Sequence, residues 1–242
     1  MQINRCSIDG ANVIDPNESY PINTRDNKIS NTEINYFVYN SKNRNTIDFI
    51  PISIFDTFTN LQVLFINNNQ NFKTLKPQYL KNATKLTLFI VQKNIISNLD
   101  KNLFVEAGNL EYISFALNKI KSIHKRTFSG LQNLQVLRLN ENIIKNIHFE
   151  TFSHLIKLKI LNLSKNQCID QKFSNLNNTF TDIETVIRNN CAYYLDPIQF
   201  FKTVELLDTK ILKISKENIE ACEYSRFDSI RESVADSKFD SI

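Results

Sequence analysis

The sequence predicts an α/β repeat fold, a solenoid wound from one unit used about six times, and three observations carry that reading. LQVLRLNENIIKNI (134–147) falls in register on LEYISFALNKIKSI (110–123) at a shift of 24 residues. LKILNLSKNQC (158–168), LTLFIVQKNIISNL (86–99) and LQVLFINNNQNFKTL (61–75) complete five clear copies, the last with one extra residue before Phe72. Each copy places an asparagine where its apolar rhythm breaks: Asn69, Asn94, Asn118, Asn142 and Asn166. Six residues before each copy's first leucine stands another large apolar side chain, in turn Phe55, Leu80, Phe104, Phe128 and Phe152. A weaker sixth copy starts at Ile34, with Phe37 and Tyr39 in strand positions and Ile47 and Ile50 after a short insertion.

The asparagine has a physical reason. A chain leaving a strand must turn while its N–H and C=O groups are already shielded by neighbouring coils, and an unpaired buried polar group is costly. One amide supplies donors and an acceptor together. Stacked once per coil, the five asparagines form a ladder that satisfies the turning backbones, and the phenylalanine column fills the opposite side of the core. The asparagines are therefore scaffold.

Composition sets outer bounds. With 242 residues, 42% of them hydrophobic and 22% charged, the chain can bury a continuous core. Three glycines and five prolines leave no visible flexible linker. The net charge of +4, with lysines scattered along the chain, reads as a solvated surface and not as a nucleic-acid patch. No apolar run approaches the length of a membrane span.

The pattern L-x-x-L-x-L-x-x-N-x-L, its trailing phenylalanine and its 24-residue step resemble the leucine-rich repeat of the kind common in extracellular animal proteins, over roughly residues 30–168. The resemblance implies a right-handed solenoid with a parallel concave sheet of about six strands and a looser convex side. Residues 34–167 form the repeats, and residues 1–33 a degenerate N-terminal cap in which only Cys6 is present. Residues 168–196 resemble the C-terminal cap of secreted leucine-rich repeat proteins, particularly arthropod immune and recognition types, which implies a Cys168–Cys191 disulfide. Between those cysteines the sequence reads as a loop and then an amphipathic helix with Phe180, Ile183, Val186 and Ile187 on its apolar side.

Residues 197–224 change character. Val204, Leu207, Ile211, Ile214, Asn218 and Ala221 fall at alternating spacings of three and four, the stripe of a helix. Such a helix either covers the edge of the last repeat or pairs homo- or heterodimers through a bond at Cys222. Residues 225–242 form a polar tail that frays at the terminus.

Catalysis is not indicated. The chain lacks a glycine-rich phosphate loop, a His-x-x-x-His pair and a Gly-x-Ser-x-Gly motif, so no cofactor is expected. His124 and His148 share one repeat position, but Pro51, Lys76 and Asp100 hold it elsewhere. That marks a variable exposed turn, and with no third ligand in sight no metal is expected.

What remains is a surface. Strand residues alternating with the core leucines face the concave side. These are Tyr36 and Val38, Val63 and Phe65, Leu88 and Ile90, Tyr112 and Ser114, Val136 and Arg138, Ile160 and Asn162, followed by Asn40, Asn67, Gln92, Ala116, Asn140 and Ser164. The first half of this face is apolar and the second polar. Asn162 also begins one of four Asn-x-Ser/Thr glycosylation sequons, with Asn17, Asn82 and Asn177 beginning the others. The first reading is a secreted recognition module, of the innate-immune kind by resemblance, that grips a protein or a glycan-bearing surface ligand and no nucleic acid. The alternative is a cytoplasmic adaptor or regulatory subunit, which fits the opening MQINRCSIDG, where no apolar leader is found.

Overall fold

The computed structural model describes residues 5–8, 33–40, 47, 49–176 and 180–191. The chain divides into two units, Met1–Tyr193 and Tyr194–Ile242, and every described residue belongs to the first. The expected helix over 197–224, Cys222 and the terminal tail lie outside the described residues.

In chain order the elements are strands β1 (Arg5–Ile8) and β2 (Tyr36–Asn40), the single-turn helix α1 (Ile54–Thr57), and strands β3 (Val63–Asn67), β4 (Thr74–Leu75), β5 (Leu88–Gln92), β6 (Asn98–Leu99), β7 (Tyr112–Ser114), β8 (Ser122–Ile123), β9 (Val136–Arg138), β10 (Asn146–Ile147), β11 (Ile160–Asn162) and β12 (Lys172–Ser174). Helix α2 (Thr181–Asn190) follows, and 3₁₀ turns occupy Pro77–Leu80 and Phe149–Thr151. One sheet runs β1-β2-β3-β5-β7-β9-β11-β12, with every neighbouring pair parallel except the last. On the other side of each coil, β4 pairs with β6 and β8 with β10, also in parallel.

Among the described residues the sheet has eight strands where about six were expected. The added strands sit at its two edges, where the leucine pattern is silent. β1, from the stretch read as a degenerate cap, supplies partners for the outer backbone of β2, and β12 does the same for β11 from the opposite direction. Both strands carry the exposed edge away from the leucine-bearing strands and onto short segments of their own.

The leucine columns point inward. Leu64, Phe89, Ile113, Leu137 and Leu161 stand in register on successive strands and are all buried. Opposite them the phenylalanines stack. Phe104 lies on Phe128 and Phe128 on Phe152, both with ring centroids 6.0 Å apart and near-parallel planes. These contacts repeat because the chain does, so each coil is stabilised mainly by its two neighbours.

The turn after each strand is built from two adjacent residues. The first is left-handed although it is not glycine: Asn68, Lys93, Leu117, Glu141 and Lys165 have φ between +54° and +58°. Their N–H groups donate to the next coil, Asn68 to Gln92 O at 3.0 Å, Lys93 to Ala116 O at 3.2 Å, Leu117 to Asn140 O at 3.1 Å and Glu141 to Ser164 O at 2.9 Å. In the final coil no such carbonyl follows, and the carboxylate Oδ1 of Asp170 accepts from Lys165 N at 2.7 Å instead.

The second residue is the asparagine. In Asn118, Asn142 and Asn166, Oδ1 accepts the backbone N–H of the residue 22 positions earlier, Ile96, Ile120 and Ile144, at 3.2, 3.0 and 3.1 Å. Nδ2 donates to the carbonyl 27 positions earlier, Val91, Phe115 and Leu139, at 2.8, 2.9 and 3.0 Å. Asn69 takes both bonds from Ile47, accepting from its N at 3.2 Å and donating to its O at 2.6 Å. Asn94 departs from the pattern, because the coil before it carries the extra residue ahead of Phe72. Its Oδ1 accepts from Asn69 N at 3.0 Å, while Nδ2 still reaches Ile66 O at 3.2 Å.

At the C-terminal end Cys168 is joined to Cys191 by a disulfide. Helix α2 lays Ile183 and Ile187 into the core with Phe180 buried at its start, and Val186 packs beside them. Together they lid the last coil, whose apolar interior would otherwise meet water.

Candidate binding face

Parallel pairing without a shift brings the outward strand residues into columns. The first is Tyr36, Val63, Leu88, Tyr112, Val136 and Ile160, the second Val38, Phe65, Ile90, Ser114, Arg138 and Asn162, and the third begins Asn40, Asn67 and Gln92. At about 4.8 Å per strand the six strands span roughly 25 Å.

The first column is apolar throughout and half-buried, as are Phe65 and Ile90 beside it. Such side chains keep part of their surface in contact with water on a rigid sheet. Three of the expected face residues are different, the small Ala116 among them at 5% exposure. Val38 is only 6% exposed. It lies in register between Ser7 of β1 and the larger Phe65 of β3. Ser114 is 0% exposed, and its Oγ accepts Nε2 of Gln92 at 2.6 Å. The longer Gln92 side chain reaches across to it, so Gln92 takes the place in the face expected for Ser114.

Toward the C-terminal half the face becomes polar. The exposed guanidinium of Arg138 stands 5.6 Å over the ring of Tyr112, a cation–π pair at the border of the apolar pad. Asn140 Nδ2 donates to Glu141 Oε1 at 3.2 Å, and Glu141 pairs with Lys165 at 3.3 Å. Asn162 accepts at Oδ1 from both the N–H and the hydroxyl of Ser164, at 3.1 and 2.8 Å. In the third column Asn67 Oδ1 is shielded from solvent and has no donor among the described residues.

The two repeat-position histidines lie away from this face. His124 is exposed as expected, but His148 is only 8% exposed, which corrects the reading of its turn as open. In both, Nδ1 accepts a backbone N–H two residues on, from Arg126 at 3.1 Å and from Glu150 at 3.2 Å. The His148 ring stacks on Phe149 at 4.7 Å, and Phe149 carries the guanidinium of Arg188 from α2. Burial pushes the His148 imidazole below its usual range, with Glu150 raising it and Lys125, His124 and Arg188 lowering it further. Both rings therefore serve as turn caps.

The leucine rich repeat family profile matches residues 84–142. No curated protein matches the sequence. Among solved structures, the crystal structure of a TLR13–ssRNA13 complex is 24% identical with a TM-score of 0.52, covering 56% of this chain and 19% of that one. The Leptospira interrogans LRR protein LIC12759 is 22% identical with a TM-score of 0.49, over 56% of this chain and 32% of that one. The leucine-rich repeat domain of APL1B is 24% identical with a TM-score of 0.46, over 52% and 38%. The chain thus spans well under half the length of each. The first likeness bears on the fold alone.

Proposed function

We propose that this parallel-strand solenoid, whose residues 84–142 match the leucine rich repeat profile, is a non-enzymatic recognition module whose concave face grips a protein, or a glycan-bearing surface ligand, outside the cell. The observation that carries this is the unbroken half-buried column Tyr36, Val63, Leu88, Tyr112, Val136 and Ile160 with Phe65 and Ile90 alongside, bounded by Arg138 and the amides. Apolar patches with polar rims mark interaction sites, and aromatic rings and arginine are the usual anchors. Backbone and ladder fix the positions of these side chains before a ligand arrives, which lowers the ordering cost of binding. The Cys168–Cys191 bond supports an oxidising compartment, where disulfides persist.

The test is Phe65→Asp with Ile90→Asp. The pair should abolish capture of a bound partner while leaving the melting temperature nearly unchanged, because both side chains are outside the closed core. A large drop in melting temperature would show that they are structural and would end this reading. Free thiols at Cys168 and Cys191 in protein taken from its native compartment would instead favour the intracellular adaptor.

A further inference from the structure

We propose that a second surface, the flank joining the asparagine rungs to the convex turns, binds a linear sulfated polysaccharide. The repeat gathers cations there that look scattered in the sequence. Lys73, Lys121 and Lys145 stand in one column with Ser97, each bonded through the backbone to the next: Ser97 N to Lys73 O at 3.4 Å, Lys121 N to Ser97 O at 3.2 Å and Lys145 N to Lys121 O at 2.9 Å. Lys76, Lys101, Lys119, Lys125 and Arg126 occupy neighbouring positions of the same stretches, and all eight side chains are exposed. The carboxylates of those stretches are Asp100, which caps Asn102 N at 2.7 Å, and Glu150, paired with Lys125. With Asp170, which caps Lys165 N in the last coil, eight cations stand against three acids and leave +5 among the described residues of this flank.

The column favours an extended polyanion. Three steps of about 4.8 Å carry it roughly 15 Å from Lys73 to Lys145, a straight track of positive charge across the coils. Beside it lies a recess of about 300 Å³ lined by Lys125, Arg126, Ser129, Glu150, Ser153 and His154. Single-stranded nucleic acid would want aromatic rings for its bases. The aromatic side chain on this flank, Phe149, already stacks on His148 and carries Arg188. An anionic membrane would want several apolar side chains to insert; of the exposed large apolar residues Val105 and Ile156 fall outside these stretches, and only Leu117 adjoins them, before Asn118. Sulfate groups along a saccharide ask for neither. The disulfide agrees with the extracellular setting of such polymers.

The experiment titrates the full chain with a labelled heparin dodecasaccharide at about 0.15 M salt, where long-range screening is already strong. Lys73→Ser with Lys121→Ser and Lys145→Ser should weaken binding about tenfold or more and flatten its dependence on salt. Lys85→Ser with Lys157→Ser and Lys159→Ser removes the same charge from the other flank and should change affinity less than about twofold, thermal melts confirming that both variants fold. Equal weakening by the two variants, absence of saturable heparin binding, or tighter binding of single-stranded RNA or phosphatidylserine vesicles than of heparin would overturn the proposal. None of these outcomes depends on the concave face, so its own test stays separate.

Discussion

Asn142 Oδ1 accepts the backbone N–H of Ile120, one coil earlier, at 3.0 Å, while its Nδ2 donates to Phe115 O at 2.9 Å and Leu139 O at 3.0 Å. One buried side chain thus serves backbone groups of two successive coils. Asn142→Ala should destabilise the fold by about 1–3 kcal/mol in urea unfolding, the cost of leaving buried groups unpaired. Asn166→Ala should cost less, because that rung is half-exposed and water can replace the amide.

Phe128 sits between Phe104 and Phe152 in a stack that runs through three coils. Truncation to alanine should cost roughly 3–5 kcal/mol, from lost burial and the cavity left behind. Phe65→Ala, on the half-buried concave face, should cost under about 1.5 kcal/mol. Chemical unfolding of the two variants side by side measures the contrast, and similar losses would contradict the assignment of Phe65 to the surface.

The Cys168–Cys191 bond closes a loop over a separation of 23 residues. Its reduction should remove about 3 kcal/mol of stability. Hydrogen exchange should locate the first effect in α2, since Cys191 immediately follows the helix and Ile183 and Ile187 are its buried anchors. Protection lost first in β7 or β9 would show that the lid is not held by this bond.

Burial disfavours the charged form of His148 in the fold. Its folded pKa lies below the ordinary 6.5, so the unfolded chain takes up the proton first as the solution is acidified. Its contribution is complete above pH 6.5, declines as the pH falls below that value, and levels off once the folded imidazole also titrates. Glu150, held below its ordinary 4.5 chiefly by its hydrogen bond to Lys125, contributes stability above that pH that is lost as the pH falls through its folded value. His148→Asn, which keeps an acceptor for Glu150 N, should flatten the stability profile just below pH 6.5 and leave the more acidic limb in place. A melting series across pH reads both limbs.

The regular middle of the molecule was legible because each coil repeats the same demand. Leu137, Phe128 and Asn142 recur at one phase, and the structure stacks them with their counterparts. The edges were not. Arg5–Ile8 and Lys172–Ser174 carry no leucine spacing, and they become strands through the partners that β2 and β11 offer. Asp170 shows the same thing on a smaller scale, since a lone carboxylate replaces a carbonyl that only a further coil would have supplied. On the concave face, strand alternation gave the columns but not the depth of Val38 and Ser114, which depends on flanking strands and on Gln92. The charge of the opposite flank was hidden for a related reason. Lys73, Lys121 and Lys145 are far apart in the chain and become neighbours only when the coils are counted.

The reversed direction of β12 has a consequence for growth. A solenoid whose final strand ran with the rest would offer the next molecule a template, and copies could thread end on end into a filament. Here the last strand among the described residues runs against the others, and the charged Lys172 sits on it. A coil added there in the direction of the others would meet β12 antiparallel, so the parallel ladder does not simply continue across that edge.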